Sequence, residues 1–135
     1  MRYNANDAAQ KTVLYVSRIE VPGKNHENLI RAWELLPPAI ASAYKLVIAG
    51  SDWPGAERVH KLAAQSRYAS QIEFTGFISK DALHELYAHA SLYVFPSLYE
   101  GFGLSLLEAM YSGLVCVCSN NSSLGEIAAL SLIHI

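Results

Sequence analysis

The chain has 135 residues, of which 52% are hydrophobic and 16% charged, and a formal net charge of −2 at pH 7. That is one domain's length, enough for a substantial core, with the composition of an ordinary globular protein. No apolar run reaches the length of a membrane span, no basic leader precedes an apolar core, and the scattered Lys and Arg residues make no basic patch, so neither a membrane span nor nucleic acid as a partner is expected.

In chain order, residues 1–11 are polar and rich in Ala and Asn, and read as a linker or lead-in. Thr12 to Val16 reads as a first strand. A turn-rich loop from Ser17 to Asn25 follows, carrying Arg18 and Lys24, and opens into an amphipathic helix from His26 to Leu36 with Leu29, Ala32, Trp33 and Leu36 on one side. A strand, a loop and a helix in succession are where a doubly wound sheet presents its ligand-binding groups. On the residues alone, Arg18 and Lys24 are solvated surface charges. Lys45 to Ala49 reads as a second strand ending in Gly50-Ser51-Asp52, before a helix from about Gly55 to Ser66, with Asp52 as a turn or helix-entry residue. Gln71 to Phe74 is a third short strand, followed by Gly76-Phe77-Ile78. Ser79 is the expected N-cap of a helix from Lys80 to His89, whose apolar stripe is Leu83, Leu86, Tyr87 and Ala90. The five histidines make no metal-ligand spacing with Cys, Asp or Glu, and read as structural or solvated.

The segment from Leu92 to Asn121 carries the strongest signal. An apolar run from Leu92 to Phe95 leads through the turn Pro96 to Tyr99 into Glu100-Gly101-Phe102-Gly103-Leu104. Leu104, Leu107, Met110 and Tyr111 then recur at helical spacing, and Gly113 marks a stop before the strand-like Leu114 to Cys118. Between Glu85 and Glu126 the only formally charged side chains are Glu100 and Glu108, which are therefore expected in apolar surroundings, where carboxylates need partners. Gly101 and Gly103 allow a ligand close to the backbone. At such a strand-to-helix junction, unpaired N–H groups and the positive end of the helix dipole suit a phosphate. Glu108 lies about one turn into the helix, and its acceptor-only carboxylate suits paired hydroxyls such as those of a ribose. Glu100, at the lip of the turn, is placed to accept from hydroxyls on whatever the phosphate carries. Tyr99 and Phe102 flank it and divide evenly between core packing and lining a pocket. Cys116 and Cys118 are expected on opposite faces of their strand, as buried structural thiols rather than a metal pair or a disulfide.

Pro96-Ser97-x-Tyr99-Glu100-Gly101-Phe102-Gly103-Leu104, followed by Leu107-Glu108-Ala109-Met110 and Gly113, resembles the donor-binding signature of the retaining GT-B glycosyltransferases of family 4, the glycosyl transferases group 1. Two glutamates with seven residues between them are a weak signal alone; the surrounding glycines and aromatics, and Ser119-Asn120 after the next strand, make it specific. The resemblance implies the C-terminal half of a GT-B fold: an α/β, Rossmann-like parallel sheet of about five strands with helices on both faces. The βαβ alternation supports that fold class independently. Residues 12–126 are then a partial C-terminal nucleotide-sugar-binding domain, and the N-terminal GT-B domain is missing. Residues 127–135 form an atypical, truncated tail, since Leu124-Gly125-Glu126 has Gly where the family has Pro and the sequence after it does not continue the pattern.

The resemblance also implies roles. Arg18 and Lys24 neutralise the donor diphosphate, so that no metal or other cofactor is expected; Ser17 adds a hydroxyl where the family often has Gly. Gly101, Phe102, Gly103 and Leu104 supply backbone contacts, Glu108 binds the ribose hydroxyls, and Glu100 is the catalytic residue that engages the donor sugar. Phe77 and Ile78 form a base-side loop acting through its main chain. The implied activity is sugar transfer from a nucleotide-sugar to a saccharide, lipid or small-molecule acceptor with retention of configuration, as in polysaccharide biosynthesis. The expected location is cytoplasmic, with the inner face of the membrane as an alternative. A nucleotide-sugar binding module without turnover is the second reading, because the catalytic cleft needs both domains to orient the reactants and exclude water. A related GT-B nucleotide-sugar epimerase or phosphorylase is the third.

Overall fold

A computed structural model describes residues 11–100 and 103–120. Five parallel strands, β1 (Lys11–Val16), β2 (Tyr44–Ala49), β3 (Ile72–Phe74), β4 (Leu92–Phe95) and β5 (Cys116–Cys118), form one sheet in the order β3-β2-β1-β4-β5. Between them run α1 (His26–Glu34), α2 (Pro38–Ala43), α3 (Ala56–Gln65), α4 (Lys80–His89) and α5 (Leu104–Tyr111). The fold class read from the sequence is the one observed. The central strands are apolar without alternation, as in Leu46–Ala49, because both faces of a parallel sheet are covered.

Register assigns the faces. Val13 pairs with Leu46 and Leu92, and this row packs under Ile30 and Trp33 of α1 and Val59 and Ala63 of α3. Leu14 pairs with Val47 and Tyr93, and this row packs under Leu86 of α4 and Leu106 of α5. The chain travels outward from β1 to β3, returns through α4, and continues from β4 to β5 in the opposite direction. Right-handed crossovers travelling in opposite directions put their helices on opposite faces. One consequence is an apolar groove of about 550 Å³ beside α1, lined by Leu29, Trp33, Leu36, Leu92, Val94 and Val115, without a charged group in its wall.

Several element ends shift by one residue, and the larger departures from the expected elements are four. α1 stops at Glu34 because Leu36 precedes Pro37, and a residue before proline is pushed out of the helical region. α2 was not anticipated, although Pro38 stands at its start, where the missing N–H is harmless. β5 begins at Cys116 rather than Leu114, because the N–H of Leu114 bonds to Ala109 O at 3.2 Å and that of Gly113 to Met110 O at 3.0 Å. That paired pattern is a Schellman cap, and it takes Leu114 into the end of α5. α5 itself packs through Leu106 and Ala109, while Leu104 and Tyr111, expected in its stripe, are exposed. The expected opposition of Cys116 and Cys118 is also wrong: residues two apart on a strand share a face, and both thiols are buried in the core under α4 and α5. The expectations for residues 1–10, Gly101, Phe102 and 121–135 lie outside the described residues.

Gly50 sets the floor of the site described next. It follows β2 with φ 153°, and a Cβ there would stand 1.9 Å from the carbonyl oxygen of Ser17. The contact is with backbone, so no side-chain rotation relieves it. Gly50→Ala is expected to destabilise the fold by about 2 kcal/mol or more. A urea melt checks this; a variant with an unchanged midpoint would show that the two loops are not in contact.

Candidate functional site

Strand order reverses between β1 and β4, so the loops that follow them leave in opposite directions and open a crevice at the C-terminal ends of the strands. A hollow of about 380 Å³ lies there, lined by Ser17, Arg18 and Lys24 after β1 and by Glu100, Gly103, Leu104 and Ser105 after β4.

The two loops are joined directly. The N–H of Leu98 donates to Gly23 O at 2.9 Å, and Asn25 Nδ2 donates to Pro96 O at 3.0 Å. Asn25 sits at the entry to α1 with φ 61°, a left-handed conformation that Asn tolerates better than most residues. Lys24 Nζ forms a salt bridge with Glu100 Oε1, and the two side chains are 13% and 15% exposed. Ser97 is fully buried, and its hydroxyl lies 2.9 Å from the same Glu100 oxygen. Ser97 Oγ has one proton; the carboxylate is the strongest acceptor near it. Ser119, after β5, supports the turn through its N–H to Phe95 O at 3.1 Å.

The β1 side is fixed from below. Tyr15, buried in β1, donates to Lys24 O at 2.7 Å and packs against His26 with ring centroids 4.9 Å apart. His26, the first residue of α1, is wholly buried, and its Nε2 lies 3.1 Å from Ser17 Oγ. Burial lowers the imidazole pKa to about 4; the main chain of Glu20 opposes the shift without bonding to Nδ1, which has no partner among the described residues. The ring is therefore neutral at pH 7. Arg18 stands at the rim, with Nε 2.9 Å from Glu20 Oε2 and its guanidinium 4.3 Å from the Trp53 ring centroid.

On the β4 side, α5 starts after Gly103, which has φ 69°; the N–H groups of Leu106 and Leu107 donate to Gly103 O at 3.1 and 3.2 Å. First-turn N–H groups before them have no intrahelical acceptor, and they belong to residues that line the hollow. Glu108 is one turn further along. Contrary to the expectation of apolar surroundings, it is exposed and does not line the hollow, although it lies three residues beyond Ser105 and so shares its helix face. The Tyr87 hydroxyl of α4 reaches it, 3.1 Å from Oε2.

Five predicted residues thus line one hollow: Arg18, Lys24, Glu100, Gly103 and Leu104. Phe77 is exposed after β3 and Ile78 packs against the core under α4; neither lines it. Gly101 and Phe102 are outside the described residues. Sequence reasoning missed Ser97, Asn25 and Ser105. For Asn25 a signal existed, an Asn directly before a helix start, where left-handed entry is a known use of that side chain. Among the described residues no group of three or more His, Cys, Asp or Glu could hold a metal ion, and no helix is long and apolar enough to cross a membrane.

The family described as Glycosyl transferases group 1 matches residues 2–130. The chain is 44% identical over 117 residues to the serotype-specific mannosyltransferase WbdA of Escherichia coli, covering 85% of this chain and 14% of that protein. It is 38% identical over 120 residues to the O-antigen chain mannosyltransferase B of Escherichia coli, covering 89% of this chain and 31% of that one. It therefore spans about a third or less of the curated relatives it matches. The Anabaena protein Alr3699/HepE, solved in complex with UDP and glucose, superposes with a TM-score of 0.78 at 24% identity, over 90% of this chain and 33% of that one.

The buried imidazole makes a pH prediction. The unfolded chain takes up a proton near pH 6.5 and the folded chain only near pH 4, so the unfolded state binds more protons between those values. Stability contributed by neutral His26 is full above pH 6.5 and is lost as the pH falls toward 4, by roughly 3 kcal/mol in total. His26→Gln should flatten that part of the profile in urea melts at pH 7.5 and pH 5. The same difference between the two pH values in wild type and variant would refute the assignment.

Proposed function

The chain belongs to the Glycosyl transferases group 1 family, as the C-terminal portion of a GT-B fold, and from that premise we propose that it holds the nucleotide-sugar donor of a retaining glycosyltransferase. The observation that carries this reading is the hollow at the strand-order reversal, where two cations, the N-terminus of a helix and a carboxylate converge. The donor requires that combination. Cleavage of the bond between the anomeric carbon and the diphosphate leaves the electron pair on the phosphate oxygen, and the charge that grows there needs preorganised positive partners.

In this reading Lys24, Arg18 and the first-turn N–H groups of α5 take the diphosphate. Glu100 accepts from hydroxyls of the sugar, and Glu108, on the same helix face as Ser105, takes the ribose hydroxyls. Backbone contacts to the donor are assigned to Gly101, Phe102, Gly103 and Leu104. Phe77 and Ile78 follow β3 on the other side of β1, and the base is assigned to their main chain. The acceptor, a saccharide, lipid or small molecule, faces the donor from a second, N-terminal Rossmann-like domain. The similarity to an O-antigen chain mannosyltransferase and to a serotype-specific mannosyltransferase supports a saccharide acceptor and polysaccharide biosynthesis.

Calorimetric titration with UDP, GDP and ADP tests the reading and names the base. Lys24→Ala should weaken the bound nucleoside diphosphate about tenfold, and the corresponding monophosphate far less, since a charge-assisted contact to the outer phosphate is lost. An identical loss for both would remove Lys24 from the diphosphate site. Glu108→Ala should weaken the diphosphate at least about tenfold while leaving the thermal midpoint nearly unchanged, because the side chain is exposed. Unaltered affinity in that variant would take the ribose role away from Glu108.

A further inference from the structure

Glu108 is an exposed glutamate on a helix, a side chain with three rotatable bonds and a high rotamer entropy. Such a carboxylate grips a pair of vicinal hydroxyls well only if its plane is fixed beforehand. One neighbour among the described residues does this. Tyr87 of α4 is 2% exposed, with its ring held against Tyr93 at a centroid distance of 5.9 Å, and its hydroxyl lies 3.1 Å from Glu108 Oε2 and 3.2 Å from Ser105 O. Burial and the adjacent carboxylate raise the Tyr87 pKa, so the phenol keeps its proton and remains a donor. The phenol therefore ties Glu108 to the same turn of α5 whose residues line the hollow. Its bond goes to Oε2, and no described residue is bonded to Oε1.

We propose that Tyr87 is a positioning residue: its buried hydroxyl orients the Glu108 carboxylate for the paired ribose hydroxyls of the donor, and so sets a preference for ribonucleotides over nucleotides that lack those hydroxyls. This rests on the ribose role of Glu108. The ring of Tyr87 belongs to the apolar stripe of α4, and the hydroxyl is the part with the second task. Tyr87→Phe separates the two, since it keeps the ring and removes one oxygen.

The test is calorimetric titration of the chain with UDP, GDP and ADP, each beside its 2′,3′-dideoxy counterpart. Wild type, Tyr87→Phe, Glu108→Ala and the double variant are compared, each shown to be folded by its melting curve. Tyr87→Phe should weaken the ribonucleotide about fivefold and leave the dideoxynucleotide within about twofold. In the Glu108→Ala background the same change should cost nothing further, because the interaction is already gone. A Tyr87→Phe loss of equal size for both nucleotides is what a structural role gives, and overturns the proposal. So does a ribonucleotide preference that disappears in Glu108→Ala but survives intact in Tyr87→Phe, while leaving the role of Glu108 standing. A wild-type chain that binds both nucleotides equally, or binds none, overturns the role of Glu108 and the inference with it.

Discussion

The loops after β1 and β4 leave the sheet where its strand order reverses, and the site exists because they are tied together there. Two hydrogen bonds, Leu98 N–H to Gly23 O between backbones and Asn25 Nδ2 to Pro96 O from a side chain, join the loops, and the Lys24–Glu100 pair closes the ring. Each member is held from its own side as well. Tyr15 fixes the carbonyl of Lys24 from within β1, Ser97 fixes the carboxylate of Glu100, and Gly50 lets the β2 loop pass beneath Ser17. Topology alone makes a crevice at such a point. These contacts give it a fixed floor and bring charges from opposite halves of the chain to one place.

Much of this fold was legible because its signals are local. The helix from Lys80 to His89 and the strand from Leu92 to Phe95 have the boundaries read from their periodicity, and Ser79 caps α4 by accepting from Ala82 N–H at 3.2 Å. The alternation of strand and helix fixed the fold class, and the helix termini gave most of the boundaries. What failed was tertiary. Scarcity of charge around Glu108 suggested burial, yet the face of α5 on which a residue sits decides exposure, and that face is set by the packing of Leu106 and Ala109. Ser97, His26 and Tyr87 looked like a turn serine, a structural or solvated histidine and a core tyrosine. The polar atoms of His26 and Tyr87 find partners on other elements, which no window of sequence displays, and Ser97 meets the carboxylate of Glu100 within its own loop.

Part of the cost of this arrangement falls near the site. Asn25 and Gly103 enter helices through left-handed conformations, Gly50 is confined by a neighbouring carbonyl, and His26 keeps a buried ring nitrogen without a partner among the described residues. A buried polar atom without a partner is destabilising, and unusual backbone angles are retained where the surroundings enforce them. These features surround one hollow. The apolar groove beside α1 carries a cost of the same kind, since Nε1 of the buried Trp33 in its wall has no partner among the described residues either. Irregularity is therefore not confined to the site: Gly55 at the start of α3 and Gly113 at the end of α5 also take positive φ, where the ends of helices call for it.

In the proposed reading, the Lys24–Glu100 pair gives the hollow a selectivity that neither residue has alone. Both side chains are largely shielded from water, so removing the partner of either would leave a poorly solvated charge, at a cost of about 3 kcal/mol or more. In the proposed reading, a diphosphate replaces Glu100 as the counter-ion of Lys24, and a sugar hydroxyl replaces Lys24 as a donor to Glu100. Free phosphate supplies only the first exchange and costs Glu100 its cation; a neutral sugar supplies only the second and costs Lys24 its anion. A ligand that carries an anion and hydroxyls in one molecule satisfies both at once. Discrimination against the separate components then comes from the penalty on the partner left behind, which is how a site rejects a wrong ligand without a steric clash. Ser97 keeps its bond to Glu100 through either state, so the carboxylate changes partner without losing its place.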